Sequence, residues 1–126
     1  MEVFRIKITR EIKLLQCDID EIMSTALEGG INYWCRKAKV VGEYLGQYAS
    51  EQISRGGTLK LYDAESDDVW ELTLDKFLKG FKLWIDFIYD EYGVDDYEGD
   101  VDTGRIDAED VDCIIQLALF GEIIFG

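Results

Sequence analysis

The 126-residue sequence contains no histidine, no proline and only three cysteines. Cys17, Cys35 and Cys113 are widely spaced and form no CxxC pair, so we expect neither a closed zinc site nor a disulfide framework. Free, mostly buried thiols in a reducing compartment are the natural expectation. The sequence has no low-complexity tract or internal repeat, and nothing in it marks a domain boundary. With 48% apolar residues, the composition predicts one folded domain spanning residues 1–126.

Long apolar stretches are lacking as well. No run reaches the ~18 residues that a membrane span needs. The charged, alternating N-terminus has no apolar core of a signal peptide. We therefore expect no membrane association and a cytoplasmic location.

Catalytic motifs are also missing. There is no histidine, and no serine or cysteine stands in a nucleophile motif. The pairs Gly29-Gly30 and Gly56-Gly57 match neither a GxGxxG nor a Walker loop, and they indicate helix ends instead. Carboxylates are too numerous for spacing to select an acid/base pair. The sequence therefore predicts a protein that is not an enzyme and that has no cofactor.

Basic residues are scarce in the second half of the chain. The formal net charge is −14; residues 1–60 carry nine bases and eight acids, whereas residues 61–126 carry four bases and nineteen acids. This charge argues against direct binding to nucleic acid or to an anionic membrane, and it favours encounter with a basic protein surface. Acidity that serves solubility alone is the alternative.

The negative charge is densest in residues 90–112, which we call the acidic segment. It holds eleven acids and a single base, Arg105. Charge of this density must be solvated, bound to metal or matched to a basic partner. The candidate partner-binding residues are Asp90, Glu91, Asp95, Asp96, Tyr97, Glu98, Asp100, Asp102, Asp107 and Asp110.

A calcium loop is one hypothesis for the acidic segment. Asp100 and Asp102 fit positions 1 and 3 of such a loop, which needs a glycine at 6 and an acid at 12. Gly104 and Asp110 then arrive one residue early, and the stretch before Asp100 is loop rather than helix. We therefore assign no metal ligands, and a weak calcium-binding module stays as an alternative.

A basic protein groove is the other partner for these acids. Proteins that hold nucleic acid do so with grooves lined by lysine and arginine, and a ridge of carboxylates on a folded protein could occupy such a groove. Tyr97 could anchor the ridge, because aromatic residues are frequent in interfaces. The alternative is a solvated loop whose acids merely favour a helix N-terminus.

Hydrophobic periodicity predicts an α+β fold. We expect an antiparallel sheet of about four strands packed against two or three helices. The expected strands are 3–15, 31–41, 58–63 and 69–74, with a short edge strand at 123–125, and we expect strands 58–63 and 69–74 to form a hairpin. The expected helices begin at Asp18, near Tyr48, after a Thr73 cap and after an Asp107 cap, the last two covering 74–92 and 108–120.

The stretch from Thr25 to Trp34 stands out for its polar and aromatic residues. One interpretation is a helix end leading into a core strand. The other is a binding surface that uses Tyr33 and Trp34.

Three stretches carry a resemblance to known proteins: TALEGGINYWC at 25–35, GQYASEQISRGGTLKLY at 46–62 and GRIDAEDVDCIIQLALF at 104–120. They resemble small acidic proteins that are encoded by bacteriophages and mobile elements, mainly of Gram-positive bacteria. That family is largely without assigned activity, so the resemblance implies a genetic setting rather than a site.

This setting is rich in small inhibitors of host defence, several of which are acidic and mimic nucleic acid. The resemblance therefore implies an anti-CRISPR inhibitor of an enzyme such as Cas9, acting in the bacterial cytoplasm. The alternative is an accessory or structural protein of element replication that can form a homo-oligomer.

Overall fold

The computed structural model describes residues 1–4, 6, 11–92, 99–100 and 103–126, and the side chains of 89–102 are not described. Within these residues the chain has an α+β fold with three α-helices, a three-stranded antiparallel sheet and a short parallel pairing. The elements are β1 (Ile12–Lys13), α1 (Gln16–Thr25), β2 (Cys35–Val40), β3 (Leu59–Asp63), β4 (Val69–Leu72), α2 (Leu74–Tyr92), β5 (Gly99–Asp100) and α3 (Ala108–Phe120). A π turn at Ala26–Gly30 continues α1, and 3-10 turns lie at Ala49–Glu51 and Thr103–Arg105.

The antiparallel sheet has the strand order β2-β3-β4, which confirms the predicted hairpin of the last two strands. Because successive side chains of a strand point to opposite faces, the sheet has an apolar inner face and a charged outer face. Val40, Leu59, Leu61 and Leu72 are buried on the inner face. They belong to the same core cluster as the buried residues of the three helices.

The longest helix, α2, follows from the helical spacing of its apolar residues. Phe77, Phe81 and Trp84 recur on one face and are all buried. Thr73 caps the helix as predicted, because its hydroxyl accepts the Lys76 N–H at 3.3 Å. The predicted bounds of this helix are confirmed.

Helices α2 and α3 cross in close contact at Gly80. A Cβ atom built on Gly80 would lie 2.5 Å from the backbone nitrogen of Ala118 and 2.6 Å from its Cα. Real Cβ atoms do not approach backbone that closely, so only glycine fits at this crossing. The contact fixes how α3 lies on the core.

The predicted sheet of about four strands is corrected to three. Within residues 1–4, 6 and 11–15, the long N-terminal strand expected at 3–15 is reduced to the two residues of β1. β1 pairs in parallel with β5 rather than joining the antiparallel sheet. Alternation gives a strand only where a neighbour supplies ladder partners. Phe4 and Ile6 are accordingly exposed, at 84% and 85% of their surface.

Several boundaries also differ from the sequence prediction. α1 begins two residues before Asp18, whose carboxylate accepts the Leu15 N–H at 2.8 Å from inside the first turn. The helix expected near Tyr48 is only the 3-10 turn that follows it. β2 begins at Cys35, because a turn follows the π turn. Residues 123–125 form no strand.

Candidate functional site

Three acids surround the start of α3: Asp107, Glu109 and Asp110, which we call the acidic turn. Asp107 is the N-cap, as predicted, and its carboxylate accepts the Asp110 N–H at 2.9 Å. The Asp110 carboxylate accepts the Asp107 N–H in return, at 3.1 Å. These bonds satisfy backbone donors that a helix start leaves unpaired. Two predicted partner-binding residues therefore also stabilise the helix.

The acidic turn concentrates negative charge at one helix end, and Arg105 lies two residues before it in the sequence. Asp107, Glu109 and Asp110 form no ion pair with any residue that the structure describes. Partial burial raises the pKa of the Asp110 carboxyl; the bond from the Asp107 N–H opposes this rise and the Asp107 charge adds to it. Asp107 and Glu109 are exposed. The turn thus presents negative charge to solvent at a fixed helix end.

The acidic turn is held in place from two sides. Gly30 lies beside α3, and a Cβ built there would be 3.4 Å from the Ala108 carbonyl oxygen, which is van der Waals contact. On the other side, the Thr103 hydroxyl donates to the Glu21 carboxylate of α1. α1 thereby brings another exposed carboxylate beside the 3-10 turn that leads into α3.

The pKa of the Cys113 thiol is raised by burial and by the acids at the start of α3. Burial raises the pKa of Cys113, and the carboxylates of Asp112, Asp110, Glu109 and Asp107 raise it further, in that order. Four carboxylates therefore act together on one position of α3.

Asp112, one turn into α3, differs from the acidic turn because it accepts hydrogen bonds from distant side chains of the fold. Its carboxylate accepts the Tyr33 hydroxyl at 2.5 Å and the Trp34 indole N–H at 2.7 Å. The Gln116 amide donates to the same carboxylate at 3.0 Å. We call these four residues the Asp112 network. It fastens the segment before β2 to α3, so the polar stretch around Tyr33 and Trp34 has a structural role.

The hydroxyl of Tyr33 has a raised pKa, although 55% of the residue's surface is exposed. Withdrawal from water comes first, and the hydrogen bond to Asp112 and its negative charge follow; together they raise the pKa of Tyr33 to about 12. The tyrosinate would face a carboxylate at hydrogen-bond distance, so the neutral phenol is strongly favoured.

Gln116 extends the Asp112 network to the C-terminal residues. Its buried side-chain oxygen accepts the N–H groups of Ile124 and Phe125 at 2.9 and 2.8 Å, and its amide donates to the Phe125 carbonyl at 3.2 Å. Phe125 stacks on Trp34 with 5.1 Å between ring centroids. Trp70 and Phe120 complete this aromatic cluster. The predicted edge strand is thus replaced by a segment fixed through side chains.

The described residues cover only part of the predicted partner-binding set. Asp107 and Asp110 lie together in the acidic turn. The others fall outside what is described: Asp95, Asp96, Tyr97, Glu98 and Asp102 entirely, and Asp90, Glu91 and Asp100 in their side chains. Among the residues that the structure describes, no three Cys, Asp or Glu side chains come close enough to hold a metal ion.

The summed charge of the sequence did not indicate a basic face on the sheet, because acids and bases nearly balance in residues 1–60. Lys37, Lys39 and Lys60 lie on the outer face of the sheet, and we call these three residues the basic face. Arg36 and Lys37 lie 5.3 and 5.4 Å from the centre of the Tyr62 ring. The alternation of lysines at 37 and 39 was the available signal.

Comparison with protein-family models, with curated proteins and with solved structures gives no match. Among the residues described, no helix combines the length and the apolar character needed to cross a membrane.

Proposed function

We propose that this protein is a non-catalytic inhibitor that places an acidic surface in the nucleic-acid-binding groove of a host defence enzyme. The acidic turn forms one end of that surface. The rest of the acidic segment, residues 90–106, supplies the remaining carboxylates and Tyr97. A CRISPR effector nuclease such as Cas9 is the first target to test, because the sequence resembles small acidic proteins of phages and mobile elements.

One observation supports this proposal more than any other. Asp107 and Glu109 are exposed, lie at a capped helix end and form no ion pair with a residue that the structure describes. Charges held in fixed positions complement a basic groove with less loss of side-chain freedom than charges on a flexible tail. Opposite potentials also accelerate encounter between two proteins.

The experiment compares two double variants that remove the same charge. Asp107→Asn with Glu109→Gln removes the two exposed charges of the acidic turn and retains a side-chain oxygen that can cap α3. Glu65→Gln with Asp67→Asn neutralises two exposed acids in the β3–β4 loop instead. Binding to Cas9, with and without guide RNA, is measured by size-exclusion chromatography and calorimetry at low and moderate salt.

We expect the wild-type protein to co-elute with the nuclease and to compete with nucleic acid. The acidic-turn variant should bind about tenfold more weakly, a loss of ~1.4 kcal/mol, whereas the loop variant should bind as the wild type does. A triple charge reversal, Asp96→Lys, Asp100→Lys and Asp102→Lys, should abolish binding. Failure to bind any nucleic-acid-binding defence protein at low salt would exclude the proposal.

An accessory protein of element replication that assembles with itself is the second candidate. The exposed apolar side chains of Phe4 and Ile6 favour it, because an oligomer interface would bury them. Association through apolar contacts would depend little on salt, whereas association through the acidic surface weakens as salt increases. Sedimentation of the protein alone over a salt series therefore separates the two candidates.

A further inference from the structure

The basic face contains a pair of like charges, with Glu71 of β4 opposite Lys60 on its other side. Lys39 of β2 lies directly opposite Lys60 of β3. Like charges in such cross-strand positions destabilise a sheet. Neither lysine, nor Lys37 two residues before Lys39, forms an ion pair with a residue that the structure describes. Glu71 offsets Lys60, whereas Lys37 and Lys39 on the edge strand have no acid opposite them in the described sheet, so an anionic ligand can bind there.

The strand that carries two of these lysines has a free edge. The Val41 N–H donates to the Thr58 carbonyl at 3.0 Å, which sets the alternation of backbone groups along β2. By that alternation, the N–H and C=O groups of Ala38 and Val40 point away from β3. None of the hydrogen bonds found among the described residues uses these groups.

A groove of about 480 Å³ with both apolar and polar lining residues lies beside this edge. Its apolar lining comes from Leu27, Ile31, Ala38 and Ala49, and its polar lining comes from Asn32, Arg36 and Lys37. No residue of β3 contributes to it, which places the groove on the free side of β2. Open backbone groups of β2 and a groove with apolar residues therefore occur at one place.

We propose that the β2 edge binds an extended acidic peptide segment of a partner protein as an additional strand. The open backbone groups of Ala38 and Val40 pair with the peptide backbone. Because side chains alternate, acids at every second peptide position meet Lys37 and Lys39, and apolar side chains between them enter the groove beside Leu27. This function is independent of the acidic turn.

The dimensions of the basic face favour a peptide over nucleic acid. Lys37 and Lys39 are about 7 Å apart along the strand, which is also the spacing of alternate residues in an added strand. Sites for single-stranded nucleic acid extend over ~4–16 nucleotides. A longer polyanion would leave the three lysines and meet the field of a protein with a net charge of −14.

The test uses fluorescence anisotropy with three labelled probes at low salt. The first is a peptide of alternating aspartate and valine, and the second has the same composition with all aspartates at one end. The third is oligothymidylate. We expect the alternating peptide to bind at least about tenfold more tightly than either of the others, because only it satisfies both faces of the added strand.

Two charge-matched variants locate the site. Lys37→Glu with Lys39→Glu reverses charge on the basic face, and Lys79→Glu with Lys82→Glu reverses the same charge on the exposed face of α2. Circular dichroism checks that both fold. We expect the first to lose at least about tenfold in affinity and the second to lose much less. On binding, amide exchange at Ala38 and Val40 should slow in the wild type.

Three results would overturn the inference. Equal binding of the two peptides would exclude an added strand, and equal losses in the two variants would indicate only overall charge. Binding of oligothymidylate without binding of the alternating peptide would assign the basic face to nucleic acid instead.

Discussion

Substitution of Gly80 by alanine tests the contact that positions α3. The new methyl group would lie 2.5–2.7 Å from the nitrogen, Cα and Cβ atoms of Ala118, two of which are backbone. Backbone cannot rotate away as a side chain does, so the helices must separate. Overpacking of this kind costs about 1–3 kcal/mol, and the upper part of that range applies where backbone is struck. The better helix propensity of alanine returns about 1 kcal/mol.

We therefore expect Gly80→Ala to lower the free energy of unfolding by about 2 kcal/mol. Urea denaturation followed by circular dichroism measures this directly. Lys79→Ala is the matched control, because it changes the neighbouring exposed position of α2 and should alter stability by less than about 0.5 kcal/mol. A Gly80→Ala protein as stable as the wild type, or more stable, would show that α2 and α3 do not meet as described.

Three further predictions concern α3 and the residues it holds. Asp112→Ala removes a charged acceptor of three hydrogen bonds and should lower unfolding free energy by about 2–4 kcal/mol in urea denaturation. The raised pKa of Tyr33 means that its contribution to stability is complete below pH 10 and is lost as the pH rises through about 12; ultraviolet titration of wild type and Tyr33→Phe should locate one late tyrosinate. Alkylation of Cys113 should be slower than that of exposed Cys17, and Glu109→Gln or added salt should accelerate it; an unchanged rate would contradict the field described for the acidic turn.

Local signals in the sequence predicted the elements that depend on local interactions. The bounds of α2 and α3 follow from helical periodicity and from side-chain caps at Thr73 and Asp107. The β3–β4 hairpin follows from two short apolar alternations joined by polar residues. In each case the information lies within a few neighbouring residues.

Elements that depend on distant partners were not predictable in this way. The N-terminal alternation gives β1 only where β5, some 87 residues later, supplies ladder partners. The Asp112 network joins Tyr33 to a carboxylate 79 residues away. No local pattern distinguishes Asp112 from the acids that precede it, although their roles in the fold differ.

The candidate site was predicted from the summed charge of each half of the chain. Such a sum does not show where the individual charges lie in the fold. Residues 61–126 carry the whole excess of acid, and the acidic turn lies among them. Acids and bases nearly balance in residues 1–60, however, so their net charge gave no indication of the basic face. Pairing of Lys39 with Lys60 brings together charges that are 21 residues apart in sequence.

The salt dependence of nuclease binding, measured for the wild type and for the two double variants, tests the central claim most directly. The affinity of the wild type for the nuclease should fall steeply as salt increases, because salt shortens the distance over which opposite charges attract. At 0.1–0.15 M that screening length is about 8–10 Å. Asp107→Asn with Glu109→Gln should reduce that slope, and Glu65→Gln with Asp67→Asn should leave it unchanged. Equal slopes in all three proteins would contradict a partner-binding role for the acidic turn.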